Sequence, residues 1–255
     1  MGSLSPNSDL APIGFLAVEC FFERPPGDPF NERTWPFPLI RELVPGSKES
    51  QLVIKDQYDD AFYDRFVEAG KKLAERGAIG LMTSCGFLAM AQSRLAERLP
   101  IPIATSSLIQ IPSILTWLPR NQLVGIITYN GDQLGDLHMK QLSVDPARVR
   151  IRGATPGGHL QNLVREKVSG YPKDELTQEL VEATEALIKE CSDKGEKIGA
   201  VVLECTQMPP FGEAIQDRVG VPVYDVYTMG MWFYSGLQRR SPSWWSEPEK
   251  KVGLS

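Results

Sequence analysis

The sequence predicts an α/β protein built twice: two pseudo-symmetric lobes, each a parallel sheet flanked by helices. Three observations lead there. Strand-like apolar runs alternate with helix-like amphipathic runs along most of the chain, the pattern of parallel sheets. The pattern restarts midway, where Leu123-Val124-Gly125-Ile126-Ile127-Thr128 echoes Pro12-Ile13-Gly14-Phe15-Leu16-Ala17. Cys85 and Cys205, each closing a strand-like run, lie 120 residues apart, and Pro102 and Pro222 in the following strands repeat that spacing.

The first lobe is expected over residues 12–115. Residues 13–18 read as its first strand and 51–55 as its second. Between them runs a Pro-rich loop, 23–38. Connections longer than about 12–15 residues are uncommon unless they serve a function or are disordered. Trp35 and Phe37 argue for order, so the loop is a candidate lid over a substrate. Residues 60–76 carry Phe62, Phe66, Ala69 and Leu73 at helical spacing, and Gly77 follows as a stop. A third strand is expected at 78–83, a helix at 88–98 and a fourth strand at 101–105. The break between lobes falls at 112–121.

The second lobe is expected over residues 121–225. Its strands are 123–128, 149–153, 198–204 and the run around Val221. A long helix at 174–192 puts Leu176, Leu180, Ala183 and Leu187 on one face and Glu175, Glu179 and Glu182 on another. Residues 226–255, with Trp244 and Trp245, are expected to return to the first lobe.

Composition removes several classes of function. The net charge is −5 and the basic residues are dispersed, so no nucleic-acid or anionic-membrane surface is predicted. No apolar run is long enough to span a bilayer and no signal peptide is read at the start, which together predict a cytoplasmic protein. Four cysteines in 255 residues do not make a disulfide framework. Two histidines, His138 and His159, form no ligand-spaced cluster, so neither a metal site nor a Ser-His-Asp triad is expected. No nucleotide motif appears, and no cofactor is implied. The sequence leaves a homo-oligomer open.

In open parallel sheets ligands bind beyond the carboxyl ends of the strands. Cys85 and Cys205 fall there, each ahead of a helix start. That placement is expected to lower a thiol pKa and to offer backbone donors to an anion. Two such thiols across a cleft can take a proton from a carbon and return one to its opposite face. Ser84, Gly86 and Phe87 in the first turn, Thr206 and Gln207 in the second, and Thr128 and Tyr129 at a strand end are the candidate substrate contacts, with Asn31 from the Pro-rich loop. Asn31 and Asp28 are read equally as turn-formers. Cys20 and Cys191 are read as small hydrophobes. Ser106 and Ser107 are read as helix caps or site residues, and Gly157-Gly158-His159 as a turn or an anion nest. Glu204 is awkward. Pointing into the site it would raise the neighbouring thiol's pKa, and strand alternation would let it face elsewhere.

These residues carry a resemblance. Leu203-Glu204-Cys205-Thr206-Gln207-Met208-Pro209 resembles the G-C-T-x-x-P second-cysteine turn of the aspartate/glutamate racemase superfamily. That group also includes hydantoin racemase, maleate isomerase and arylmalonate decarboxylase. Thr83-Ser84-Cys85-Gly86-Phe87-Leu88 resembles its first-cysteine turn, and Thr128 stands where the family has a threonine. The resemblance spans about residues 12–230. It implies two lobes closing on a small acid, with Cys85 and Cys205 as paired acid and base.

The departures are specific. Amino-acid racemases carry C-N-T at the first cysteine, where this chain has Cys85-Gly86-Phe87. At Gln207 glutamate racemases have His and aspartate racemases Glu. The loop P-G-D-x-x-N-x-x-T-W-P-F-P replaces the D-S-G-x-G-G start. The change at Gly86 and Phe87 is expected to favour a bulkier or more apolar carboxylate or a cyclic amide over free glutamate and aspartate. The leading expectation is a cofactor-independent racemase or epimerase. Cis–trans isomerisation, decarboxylation and non-catalytic small-molecule binding remain open.

Overall fold

A computed structural model describes residues 10–166 and 170–241. Both lobes are four-stranded, all-parallel sheets of the same strand order. In the first, β1 (Ile13–Ala17) lies between β2 (Leu39–Leu43) and β3 (Leu81–Thr83), and β4 (Ile103–Ala104) pairs with β3. In the second, β5 (Gln122–Thr128) lies between β6 (Val149–Gly153) and β7 (Lys197–Leu203), and β8 (Val223–Tyr224) pairs with β7. β1, β3 and the last five residues of β5 are wholly buried, as strands covered on both faces must be.

One strand is misplaced by the sequence reading. Residues 51–55 do not form the second strand. Glu49–Leu52 is a single helical turn, α1, and the strand beside β1 is β2, in register Ile13↔Leu39 to Ala17↔Leu43. β2 is an edge, so its inner residue Leu39 is buried while Arg41, Glu42 and Leu43 reach outward. Other bounds contract: the third and fourth strands shrink to Leu81–Thr83 and Ile103–Ala104. The helix expected at 88–98 divides into a tight 3-10 segment, Gly86–Ala91, and α3 (Gln92–Arg98).

Helix α2 (Asp60–Glu75) starts where the Asp59 carboxylate accepts the Phe62 N–H at 2.7 Å, and it buries Phe62, Phe66, Ala69 and Leu73 against the first sheet. α4 (Ile111–Trp117) leads out of the first lobe into β5. Short α5 (Asp136–Gln141) and α6 (His159–Val164) precede α7 (Lys173–Asp193), whose Leu176, Leu180 and Leu187 close the second core. α8 (Gly212–Val219) ends at Gly220 in the left-handed region.

α9 (Val226–Leu237) crosses back and covers the remaining face of the first sheet. Its Val226 and Met229 share a core with Ile13, Phe15 and Met82. Trp35 and Phe37 sit there too, 6% and 1% exposed, rather than over a substrate as a lid. Trp35 stacks on Phe37 at 5.2 Å and on Tyr227 at 5.6 Å, and Phe37 on Tyr234 at 3.9 Å. The helix can approach because residue 230 is glycine: a Cβ there would lie 2.5 Å from Trp35 Cη2. Trp244 and Trp245 lie outside the described residues.

Trp35 therefore fastens α9 to the first sheet. Removing a buried Trp side chain typically costs about 3–5 kcal/mol. Trp35→Ala should lower unfolding stability by that order, measured by urea denaturation, while a surface change such as Lys189→Ala should leave the midpoint in place.

Candidate active site

The strand ends β3 and β7 bring the two cysteine turns together. Ser84, Cys85, Gly86 and Phe87 line one side of a small pocket between the lobes, and Glu204, Cys205, Thr206 and Gln207 the other. Tyr129 from the end of β5, Glu49 from α1, and Val18, Cys20, Phe22 and Arg24 from the segment after β1 complete much of the wall. The pocket has a volume of about 40 Å³, space on the scale of a few waters, and a wider open groove of about 810 Å³ adjoins it through Cys20, Phe22 and Arg24.

The two turns are locked to each other. Thr206 Oγ1 donates to Ser84 O at 2.9 Å, and Ser107 Oγ donates to Leu203 O at 2.7 Å. Glu204 faces the pocket and does not turn away. Its Oε2 accepts Thr128 Oγ1 at 2.7 Å and the Tyr129 N–H at 3.2 Å. Its Oε1 rests so close to Gly86 that a Cβ there would be 2.1 Å away. Gly86 is thus a notch for a carboxyl from the other turn, and it adds no room for a bulkier substrate. Phe87 is 1% exposed, and its ring meets His138 edge-on at 5.5 Å in the second-lobe core. Phe87 nonetheless lines the pocket, and Tyr58 Oη lies 2.8 Å from Leu52 O and 3.2 Å from Phe87 O. Of the two residues behind the expectation of a larger, more apolar substrate, Gly86 is taken up by Glu204 and Phe87 remains in the pocket wall.

The remaining candidates separate. Thr128 does not line the pocket; it is fully buried and serves Glu204. Asn31 is outside this pocket but lines the adjoining groove; its Oδ1 accepts the Arg33 N–H and its Nδ2 donates to Arg24 O. Ser84 lines the wall, but its hydroxyl accepts the Val18 N–H at 2.9 Å. Gln207 lines it with Nε2 donating to Thr206 Oγ1. Ser106 caps its helix through the Leu108 N–H. The turn at Gly157 and Gly158 is closed to an outside anion, because the Glu179 carboxylate already accepts the N–H groups of Thr155, His159 and Leu160. Cys191 is a packed core residue, whereas Cys20, read as one, reaches the pocket.

Arg24 is the residue the sequence reading missed. Among the described residues that line the pocket it is the only cation. The Pro-rich loop holds it: Nη1 pairs with buried Asp28 at 3.3 Å and Nη2 donates to Cys20 O at 3.1 Å. The guanidinium lies over the rings of Phe22 and Phe30 at 4.5 and 4.9 Å. Each polar residue of the P-G-D-x-x-N-x-x-T-W pattern ties the same loop. Asp28 accepts the Phe30 N–H, Thr34 Oγ1 donates to Asp28 O, and Trp35 Nε1 donates to Pro29 O.

The electrostatics reverse one expectation. Cys85 and Cys205 are not acidified by their turns. Burial pushes both thiols up, and the Glu204 charge pushes them further. The N–H groups of Phe87 and Leu88 on Cys85, and of Gln207 on Cys205, pull the other way more weakly. Burial also lifts Glu204 to about 7, against the opposing bonds from Thr128 and Tyr129. The Glu204 carboxyl therefore changes charge near neutral pH. Among the described residues no group of three or more His, Cys, Asp or Glu could hold a metal ion, and no helix is long and apolar enough to cross a membrane.

Comparison with solved structures agrees with this fold. Allantoin racemase from Klebsiella pneumoniae superposes with a TM-score of 0.59 at 16% identity, covering 96% of each chain. Arylmalonate decarboxylase gives 0.55 at 17% identity over 89% of this chain and 92% of that one. Glutamate racemase from Aquifex pyrophilus gives 0.51 at 14% identity over 89% and 84%. The chain has the fold of the aspartate/glutamate racemase superfamily. No family model matches it. In sequence it is similar to dimethylsulfoniopropionate lyase 7 of Emiliania huxleyi (strain CCMP1516), 27% identical over 88% of this chain and 67% of that protein. It is also similar to the dimethylsulfoniopropionate lyase of Durusdinium sp. clade D, 26% identical over 91% and 77%.

The Glu204 shift has a stability consequence. A carboxyl raised from its ordinary value near 4.5 to about 7 binds more protons in the folded state across that window. Its contribution is therefore favourable at acid pH and lost as pH rises through about 7. Subtracting the Glu204→Gln curve from wild type should isolate a loss on the order of 3 kcal/mol between acid and mildly alkaline pH. Superimposable pH–stability curves for the two proteins would contradict the shift.

Proposed function

We propose that the protein is a cofactor-independent enzyme that moves a proton at a carbon beside the carboxyl or carbonyl of a small acid, with Cys85 and Cys205 as the paired acid and base. The observation that carries this reading is the shared pocket: two thiols, each at the carboxyl end of an equivalent strand, line one space of about 40 Å³. One thiolate takes the proton and the other thiol supplies one to the opposite face, which racemises or epimerises the carbon. Arg24 is the anchor for the substrate carboxylate, since a rigidly held guanidinium pairs with it in a fixed orientation.

A second outcome of the same first step is elimination, and the likeness to dimethylsulfoniopropionate lyases favours it. With a β-sulfonium leaving group, the thiolate takes the α-proton and the electron pair forms the carbon–carbon double bond. The carbon–sulfur bond breaks, and acrylate and dimethyl sulfide leave. The proton passes from the thiol to solvent. Racemisation and elimination then differ in the substrate rather than in the base.

Small carboxylic acids, a cyclic amide and dimethylsulfoniopropionate should be incubated with the protein in deuterated water, with α-deuterium followed by NMR and dimethyl sulfide by gas chromatography. At least one compound should exchange or eliminate. Cys85→Ser and Cys205→Ser should each cut turnover by about 10²–10⁴-fold. A non-catalytic binder would show saturable binding with neither exchange nor elimination. Full turnover in either serine variant would remove that thiol from the mechanism. Arg24→Gln should raise KM for carboxylates far more than it lowers kcat.

A further inference from the structure

Of the titratable groups in the pocket wall that the two-thiol scheme leaves without a task, Glu204 is the one that reaches from one cysteine turn to the other. We propose that Glu204 is a proton relay between the two thiols, a carboxyl that rises from the Cys205 turn, rests in the Gly86 notch of the Cys85 turn and carries the proton that resets the pair. The inference rests on the function proposed above.

The geometry has three parts. Glu204 spans both turns, with its main chain next to Cys205 and Oε1 against Gly86. Its fixed bonds, from the Thr128 hydroxyl and the Tyr129 N–H, both go to Oε2, so Oε1 is the oxygen directed at the Cys85 turn. Neither partner is a cation, so no salt bridge locks the carboxyl in its charged form. Burial without a cation is expensive for a carboxylate that only fills space.

The surroundings supply the remaining charges. Cys85 and Cys205 both feel the Glu204 charge as their largest effect after burial. Tyr58, below the Cys85 turn, and Tyr129, at the end of β5, are pushed up by burial and stay protonated. At the rim, Arg24 is paired with Asp28, Glu49 is bound by Arg165 and Tyr129 Oη, and Cys20 is also raised. Burial lifts Glu204 to about 7.

The step is a proton transfer with no change of oxidation state. After one turnover of racemisation the base has become a thiol and the acid a thiolate. The Glu204 carboxylate accepts the S–H proton from the first and passes it to the second, restoring the starting pair. In elimination the carboxyl hands that proton to water. Turnover therefore requires ionised Glu204 and should rise with pH through about 7.

Two variants test this in the whole protein. Glu204→Gln keeps the shape and removes the proton acceptor. Thr128→Val keeps the carboxyl and removes a bond to its ionised form. The first readout needs no substrate: iodoacetamide alkylation of Cys85 and Cys205 against pH, mapped by mass spectrometry. In wild type the profile should show an inflection near neutral pH as Glu204 ionises. Glu204→Gln should abolish it and speed alkylation about tenfold, the effect of one pKa unit. Thr128→Val should move the inflection to higher pH. The second readout is turnover of whichever compound the exchange screen identifies. Glu204→Gln should lose about 10²-fold or more, and Thr128→Val should shift its acid limb upward. A wild-type profile without the inflection, or one that neither variant alters, overturns the relay. So does faster alkylation in Glu204→Gln with undiminished turnover, which makes Glu204 a bystander charge. If no compound turns over, the proposed reaction fails on its own, and the alkylation profiles still decide the coupling.

Discussion

Much of the site depends on one close approach, the carboxyl of Glu204 lying in the space that Gly86 leaves open. The cysteine turns belong to different lobes and come from distant parts of the chain. They meet because a side chain of one fits the backbone of the other, and because Thr206 and Ser107 add hydrogen bonds across the same seam. Any side chain at position 86 would push the turns apart. The same approach sets the electrostatics. It buries a carboxyl in the pocket wall that both cysteines share, burial and that charge raise the thiols, and the carboxyl is the one of the three that titrates in the neutral range.

Around that seam the rest of the first lobe acts as a frame. The Pro-rich loop is neither a lid nor a slack connection. It uses its polar residues on its own backbone and holds Arg24 between Asp28 and two aromatic rings. Its apolar residues, Trp35 and Phe37, anchor α9 to the sheet on the far side. One segment thus places the pocket's cation and closes the lobe's core, so site geometry and stability are coupled through it.

Much of this was legible in the sequence, for physical reasons that also explain the failures. β1, β5 and β7 are buried strands and read as continuous apolar runs. β2 is an edge strand whose Arg41 and Glu42 break that signal, and the nearby run Leu52-Val53-Ile54 imitated a strand instead. The thiol pair was visible through the repeated spacing and the resemblance. Gly86 was read as a substrate contact because the Glu204 carboxyl that fills its notch lies in the other lobe, beyond any local pattern. Glu204 sits just after β7, where strand alternation no longer fixes its direction. Arg24 showed no signal of its own, although the spacing of Asp28, Asn31, Thr34 and Trp35 marked a self-locked loop that had to be holding something in place.

The central claim is that Cys85 and Cys205 address one small space between the lobes. Treatment of the native protein at alkaline pH with a short bis-electrophile of three-carbon span, such as 1,3-dibromoacetone, tests it most directly, with peptide mapping of the product. The account predicts one reagent per chain, joining the Cys85 peptide to the Cys205 peptide. Separate single adducts on the two cysteines, or a link from either of them to Cys20 alone, would contradict it.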